Sequence, residues 1–315
     1  MSNKRITVDT KSRRLMMRET VTSYLFLAPF LTFFLLFVVY PMFMCIYTSF
    51  FDATMGREDI FVGLGNYKTL LWEKNVNKDG SITYGDPVFW TALKNTLVIV
   101  LVSVPVTTAF SLWVATIISR MPVTATSIFR CIFYLPVVTG SVAVTMVWKW
   151  MFNNYYGILN YVGTNTGLLE KNINWLADPK YALGCIILIL LTTSVGQPIV
   201  LYVSALDNVD KTLVEAAEVD GATRSQVFWR IKWAQMMPTT LYIVVITTIN
   251  SFQCFALIQL LTSGGPNNAT MTIMYYIYYN AFKLYKYGYG NAMGVILAII
   301  IAILSAVQFK MGEEK

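Results

Sequence analysis

The sequence contains no histidine among its 315 residues. This absence excludes catalytic pairs that need a histidine base, haem sites with a histidine axial ligand, and metal sites built on histidine. The sequence also contains no G-x-x-x-x-G-K-[ST] loop, the motif with which many ATPases hold the phosphates of a nucleotide. The chain therefore has no histidine-dependent active site and no phosphate loop of its own.

Charged side chains are scarce. Asp, Glu, Lys and Arg make up 13% of the residues, whereas a soluble domain has about a quarter. Hydrophobic residues make up 56%, and the mean hydropathy is +0.55. This composition indicates that much of the surface faces something other than water, and we predict a single integral membrane domain.

Six intervals of the chain hold no charged residue at all. A helix needs about 20 apolar residues to cross a bilayer, so each interval has room for one crossing. The intervals lie between Glu19 and Asp52, Lys94 and Arg120, Arg130 and Lys149, Lys180 and Asp207, Lys232 and Lys283, and Lys286 and Lys310. The predicted fold class is an all-α membrane protein with about six transmembrane helices, near residues 24–48, 95–119, 130–152, 181–206, 238–262 and 289–309.

Lysine and arginine are concentrated on one side of the predicted spans, which indicates the cytoplasmic side. Six of them lie between Lys4 and Arg18, and the basic residues of the opposite side are diluted by acidic ones. Both termini are therefore predicted to be cytoplasmic, and the same bias accounts for the net charge of +7 without nucleic acid as a partner. The predicted segments are a tail at 1–22, a transmembrane domain at 23–310 and a tail at 311–315.

The predicted cytoplasmic loop between spans four and five, residues 207–238, contains signals for two short helices. Thr212 precedes Glu215 at the spacing of a capping box, and Thr223 repeats that spacing before Gln226. Between them, Gly221 suits the left-handed conformation that ends many helices. We expect the pair of helices to dock on a soluble partner rather than on DNA, because the membrane holds the loop at both ends.

The peptide EAAEVDGA, residues 215–222, resembles the EAA loop of binding-protein-dependent ABC importer permeases. The usual form of that loop is E-A-A-x-x-D-G-A, followed further on by I-x-L-P and a second proline. Ile231 and Pro238 match the later positions. Trp-Ala at 233–234 and Val-Asp at 209–210 stand where the family has Leu-Pro and Ile-Pro. These departures leave the glutamate, the glycine and the alanines in place.

Three further segments resemble the same family, in the order that the family has them. FVGLGNY at 61–67 is similar to F-x-G-L-x-N-Y, NWLADP at 174–179 is similar to N-W-L-x-D-P, and LIQLLTSGGP at 257–266 resembles the end of span five in maltose-type permeases. The four matches extend over nearly the whole chain. They imply the type I ABC importer permease fold and a non-catalytic permease subunit of an ATP-driven importer for a sugar or oligosaccharide.

The resemblance also implies partners. They are a second homologous permease, two ATP-binding subunits, an extracellular solute-binding protein, the sugar and the lipid bilayer. Because this chain lacks a phosphate loop, ATP and Mg are expected on the ATP-binding subunits, with no cofactor in the chain itself. The implied location is the cell (inner) membrane of a bacterium or archaeon. Coupling to the ATPase is implied for Glu215, Ala216, Ala217, Asp220, Gly221 and Ala222.

The sugar path is expected near the bilayer midplane, where polar groups are tolerated only against protein or water. The candidates lie in the middle of spans four and five, which contact sugar in the maltose-type relatives. They are Gly196, Gln197, Ile199, Asn250, Ser251, Gln253 and Cys254. Gly196 and Ser251 match sugar-contacting positions of the family, whereas Ile199 and Cys254 replace more polar residues. The alternative is that the amides and hydroxyls only form hydrogen bonds between helices.

An ion-coupled secondary carrier is the alternative function. Such carriers usually place an ionisable residue within a span, and this sequence places none in mid-span, since Lys149 stands at the end of the third. A channel would need a filter-like repeat or a ring of charge, and neither is visible. An intramembrane enzyme would need a catalytic histidine or paired midplane carboxylates, and the sequence has neither. No metal-ligating cluster is predicted.

Overall fold

The computed structural model describes residues 10–76 and 82–313, and this part of the chain is mainly helical. In chain order the α-helices are α1 (Thr10–Phe34), α2 (Tyr40–Thr48), α3 (Gly65–Leu71), α4 (Pro87–Ile118), α5 (Val123–Val138), α6 (Ser141–Met151), α7 (Ile158–Asn165), α8 (Pro179–Ser194), α9 (Gly196–Asp207), α10 (Lys211–Val219), α11 (Arg224–Val227), α12 (Trp233–Phe252), α13 (Ala256–Leu261), α14 (Ile273–Tyr278) and α15 (Tyr287–Glu313). Three π-helical segments, Leu35–Val39, Phe228–Lys232 and Tyr279–Lys283, follow α1, α11 and α14. Two antiparallel hairpins pair β1 (Phe51–Asp52) with β2 (Ile60–Phe61), and β3 (Lys74–Val76) with β4 (Ile82–Tyr84).

Among the described residues, five helical segments are long and apolar enough to cross a membrane, and a bent pair supplies a sixth if it counts as one span. The five are Glu19–Thr48, Pro87–Ile118, Pro179–Asp207, Arg224–Leu261 and Tyr287–Gly312. The bent pair consists of α5 and α6. The predicted all-α membrane fold with about six spans is therefore confirmed.

The predicted third span, 130–152, is not one continuous helix. α5 begins earlier, at Val123, and its direction differs from that of α6 by 93°. Pro136 lacks the amide that would donate to the carbonyl one turn before it. Thr139 and Gly140 at the junction have extended backbone, with ψ of 125° and 141°, and glycine is a weak helix former. The helix therefore breaks between the two halves, inside the apolar stretch.

One carboxylate determines where the second span begins, before the predicted start at residue 95. Asp86 is the N-cap of α4, and its Oδ1 accepts hydrogen bonds from the second and third amides of the helix at 2.9 and 3.3 Å. Its Oδ2 accepts from the hydroxyls of Tyr276 at 2.6 Å and Tyr289 at 2.7 Å. Burial, and then the hydrogen bond to this carboxylate, raise the pKa of Tyr276 above its ordinary value. Asp86 thus joins α4 to α14 and α15.

Two clusters of buried apolar side chains hold the helices together. The first, which includes Phe89 and Phe252, joins α4, α8 and α12 to the helices that follow. The second, which includes Tyr202 and Met236, joins the end of α4 to α9 and the start of α12. Because lipid tails are as apolar as these side chains, close packing is what stabilises such clusters in a bilayer. The segment Glu19–Thr48, by contrast, buries none of its apolar window.

Candidate functional site

The middle of spans four and five lines a cavity of about 180 Å³. Span four contributes α8 and the first turns of α9, span five contributes α12, and α5 closes one side through Val137. Among the candidate residues, Gln197, Asn250 and Ser251 line this cavity. The structure therefore brings these three side chains together, and their contact with a sugar stays a prediction.

A second cavity of about 350 Å³ adjoins the first, because three residues, including Thr193, line both. Gln253 and Cys254 line it where the chain leaves α12, and the break between α5 and α6 lines it through Thr139. Broken helices leave backbone N–H and C=O groups without helical partners, and transporters use such groups at their substrate sites. We call the two cavities together the central cavity.

Two candidate residues do not line the central cavity. Ile199 is fully buried in the second core cluster, against α4 and α12. Gly196 stands at the junction of α8 and α9 and packs against α5, where an added Cβ would lie 2.3 Å from the carbonyl oxygen of Phe133. That distance is far shorter than van der Waals contact, so only glycine permits this approach of the two helices. Gly196 and Ile199 therefore contribute to packing between helices.

Three amide side chains of this region are exposed on the single chain: Gln197, Asn250 and Gln253. An amide that faces lipid leaves its donors and acceptors unpaired, which is costly, so amides within apolar segments face water or another protein. Within residues 10–76 and 82–313, none of the three forms a side-chain hydrogen bond to another helix. Hydrogen bonding between helices of this chain therefore does not account for them.

The cavity of about 180 Å³ has polar lining residues that are not among the predicted candidates. They are Thr193, Ser194, Tyr242 and Thr247. Helical spacing is a signal that identifies three of them. Thr193 and Ser194 stand four and three residues before Gln197, and Thr247 stands three before Asn250, which places each on the same helical face as a candidate. No comparable signal marks Tyr242, because an aromatic residue within a span most often packs against helices or lipid.

In the cytoplasmic loop predicted at 207–238, α10 begins after Asp210. The Asp210 carboxylate accepts hydrogen bonds from the amide of Thr212 at 2.9 Å and from its hydroxyl at 2.7 Å. These two bonds lower the pKa of Asp210 below its ordinary value. The predicted capping box of Thr212 and Glu215 is therefore wrong, because Asp210 is itself a strong N-cap and Thr212 is already the second residue of the helix.

The other end of α10 is a Schellman motif. Gly221 has φ of +79° and donates its amide to the carbonyl of Glu218 at 3.1 Å. The amide of Ala222 donates to the carbonyl of Ala217 at 2.9 Å. These are the two hydrogen bonds that define the motif, and its residue with positive φ is usually glycine. The prediction of a left-handed residue at Gly221 is confirmed. The glycine of the D-G-A sequence in the loop is the residue that this turn requires.

The second short helix starts directly after this turn. Thr223 donates its amide to Oε1 of Gln226 at 2.7 Å, and its hydroxyl accepts the Gln226 amide at 3.4 Å. This capping box confirms the predicted one. α11 then continues through the π-helical segment into α12, so the loop is joined without interruption to the fifth span.

The two short helices enclose a groove of about 380 Å³. Among the predicted coupling residues, four line the groove: Ala217, Asp220, Gly221 and Ala222. Glu215 and Ala216 are exposed on α10, and Val219 at its end is 88% exposed. Small residues beside an exposed apolar side chain are a surface that suits docking into the groove of a partner.

The fold matches that of a solved transporter. A chain in the crystal structure of a bacterial ABC transporter involved in the import of the acidic polysaccharide alginate is 22% identical, with a TM-score of 0.78 over 96% of this chain and 99% of that chain. This likeness shows that the helices are arranged as in an ABC importer permease.

Sequence comparison agrees with the fold. The chain is 31% identical over 306 residues to the probable ABC transporter permease protein YesP of Bacillus subtilis, covering 96% of this chain and 94% of the relative. It is 32% identical over 279 residues to the multiple sugar-binding transport system permease protein MsmF of Streptococcus mutans, covering 88% and 90%. It is 29% identical over 298 residues to the lactose transport system permease protein LacF of Rhizobium radiobacter, covering 94% and 95%.

The model of the family described as binding-protein-dependent transport system inner membrane component matches residues 19–310. The match includes all the apolar segments, the central cavity and the loop from α10 to α12. The chain therefore belongs to this family, as a multi-pass ABC importer permease subunit that is not itself an enzyme.

Proposed function

We propose that this permease serves an ATP-driven importer for a sugar or oligosaccharide and forms half of its translocation path. Relatives named for lactose and for multiple sugars support a carbohydrate as the substrate. The lining of the central cavity supports it as well. Amides such as Gln197 and Asn250, and hydroxyls such as Ser251, match the donors and acceptors of sugar hydroxyl groups.

The exposure of Gln197, Asn250 and Gln253 is the observation on which the proposal mainly rests. All three stand in the middle of apolar segments, where lipid is an unfavourable neighbour for an amide. A second homologous permease that covers this face, with a water-filled path between the two subunits, gives each amide a polar environment. The importer then consists of two permeases with the sugar path at their interface.

The cytoplasmic loop supports ATP-binding subunits as partners, and the family description supports a solute-binding protein. Two ATP-binding subunits hold ATP and Mg and dock on the surface formed by α10 and α11. An extracellular solute-binding protein delivers the sugar from the opposite side. Both termini lie in the cytoplasm, on the side of the N-terminal lysine and arginine residues, and the complex lies in the cell membrane of a bacterium or archaeon.

Purification of the tagged chain in mild detergent from its native membrane tests the composition of the complex. We expect two copies of an ATP-binding subunit and one further permease at stoichiometric levels. In liposomes, the complex should import sugar only with ATP and the solute-binding protein. A chain that purifies alone, and that moves solute on an ion gradient without ATP, would be an ion-coupled carrier, and the proposal would be wrong.

A charge reversal tests the docking surface in the same system. Glu215→Lys places a positive charge on the exposed face of α10, so we expect uptake to be abolished while the subunit still reaches the membrane. Glu170→Lys is the matched control, because it makes the same charge change at an exposed glutamate on the predicted extracellular side. Normal uptake by the Glu215 variant would contradict docking through α10.

A further inference from the structure

The part of the chain that the structure describes contains one ion pair, and it lies at the entrance of the coupling loop. Nη2 of Arg130 on α5 stands 2.6 Å from Oδ2 of Asp207, the last residue of α9. The side chains are 31% and 55% exposed. Asp207 precedes Asp210, the N-cap of α10, by three residues. The ion pair therefore connects α5 to the start of the helix that docks on the ATPase in the proposed importer.

A second contact connects the same point to span five. The amide of Asp210 donates a hydrogen bond to Oε1 of Gln235 at 3.1 Å, and Gln235 belongs to the first turn of α12. Arg130 thus holds the end of α9 and Gln235 holds the cap of α10 three residues later, so side chains of two different spans fix the segment that leads into α10. We call the pair Arg130–Asp207 and the pair Asp210–Gln235 the two tethers.

Each tether leads directly to a wall of the central cavity. On α5, Arg130 lies seven residues before Val137, and on α12, Gln235 lies seven residues before Tyr242. Both Val137 and Tyr242 line the cavity. Seven residues are two turns of helix, about 10.5 Å in length, and they return to nearly the same face. A displacement of the start of α10 is therefore applied to α5 and α12 on the faces that line the cavity.

We infer that the two tethers transmit the movement of α10 to the walls of the central cavity, with Arg130, Asp207 and Gln235 as positioning residues for transport. This inference rests on the proposed function, since it needs an ATPase that moves α10. Partly exposed ion pairs are weak, which suits contacts that shift in each transport cycle. The rival role is a static brace, which would affect the stability of the subunit and leave coupling intact.

The test uses the complete transporter in liposomes, with ATP hydrolysis and sugar import measured together. In Arg130→Ala, Asp207→Ala and Gln235→Leu we expect ATP hydrolysis to persist while the sugar imported per ATP falls about fivefold. Exchange of the two charges, Arg130→Asp with Asp207→Arg, should restore the ratio. Arg120→Ala, in the turn before α5, removes one arginine on the same side of the membrane and should keep the ratio of the wild type.

Each outcome decides one question. If the wild-type complex imports sugar without ATP, the proposed function is wrong. If the wild type is coupled and the single variants keep its ratio of sugar to ATP, the inference alone is overturned. Variants that assemble less well, yet keep the normal ratio in the complexes that form, identify a static brace and also overturn it. Failure of the charge exchange to restore the ratio, in complexes that assemble normally, does the same for the ion pair.

Discussion

The Schellman turn that ends α10 offers the sharpest test of the coupling surface. Gly221 holds φ of +79°, and an added Cβ would meet no atom within 4 Å. Within this chain, a substitution at this position therefore changes the backbone preference without a steric clash. Any L-residue is expected to weaken the turn, because only glycine adopts this conformation without a penalty.

The expected penalty follows from the backbone conformation. A left-handed L-residue costs roughly 1–2 kcal/mol, and alanine recovers about 0.4–1 kcal/mol by restricting the unfolded chain. Gly221→Ala should therefore destabilise the native turn by about 0.8 kcal/mol, which is a factor of about 4 in its equilibrium constant. Asparagine tolerates positive φ better and valine worse, and proline, with φ fixed near −65°, excludes the turn. The predicted order of uptake is Gly, Asn, Ala, Val, Pro.

ATP-driven uptake in liposomes is the assay, with the amount of assembled complex as the reference. Gly56→Ala is the matched control, because Gly56 has φ of +83°, also has no atom within 4 Å of an added Cβ, and lies in a different loop. It should leave coupling unchanged. Wild-type coupling in both the alanine and the valine variant of Gly221 would refute the argument that this turn positions the docking surface.

Three further substitutions test the interior. Gly196→Ala should lower the melting temperature of the subunit in detergent, since overpacking costs about 1–3 kcal/mol, whereas Gly184→Ala in the same span meets open space and should not. Asp86→Ala should lower the free energy of unfolding by about 2–4 kcal/mol, because it removes two tyrosine hydrogen bonds and a helix cap. Asp178→Ala is the control, since it removes only the cap of α8, and an equal loss in both variants would contradict the role of the tyrosine contacts. Gln253→Leu should reduce uptake at low sugar concentration and spare it at saturation, whereas an equal loss at both would indicate a role outside sugar binding.

The spans could be predicted because a charged side chain is very unfavourable in hydrocarbon, so a long interval without charged residues indicates a membrane crossing. The ends of the helices were harder to predict from the sequence, because capping side chains determine them. Asp86 starts α4 well before the predicted 95, and Asp210 replaces Thr212 as the cap of α10. In both cases the capping aspartate lies further from the apolar run than the prediction placed the helix start.

The break in the third span could not be predicted from proline alone. Pro105 lies inside α4 and Pro238 lies inside α12, and both helices continue past them. Pro136 is followed by Gly140 four residues later, and here the chain turns by 93°. A single missing hydrogen bond is tolerated where neighbouring helices pack closely. A proline and a glycine within one turn weaken the helix at two points, and that combination is the feature to look for.

The candidate site shows which kind of reasoning identifies a cavity. Polarity in mid-span identified Gln197 and Asn250 as candidates, because amides avoid lipid, and both line one cavity, while their contact with a sugar stays a prediction. Alignment with a family position placed Gly196 and Ile199 in the path, yet the structure buries both between helices. A glycine or an aliphatic residue has no polar group that must face water, so its sequence position alone does not say which face of the helix it occupies.

Two kinds of exposure on the single chain require two kinds of neighbour. The segment Glu19–Thr48 exposes apolar side chains, which lipid or another apolar helix covers equally well. The exposed amides of spans four and five are unfavourable against lipid. In the proposed importer, the second permease covers the surface on which they lie. Val137 on α5 and Tyr242 on α12, the two cavity residues that the tethers reach, line the same cavity as Gln197 and Asn250. In the proposed importer, a movement that enters at the start of α10 would therefore reach the cavity at the interface of the two permeases, where it could open or close a path between them.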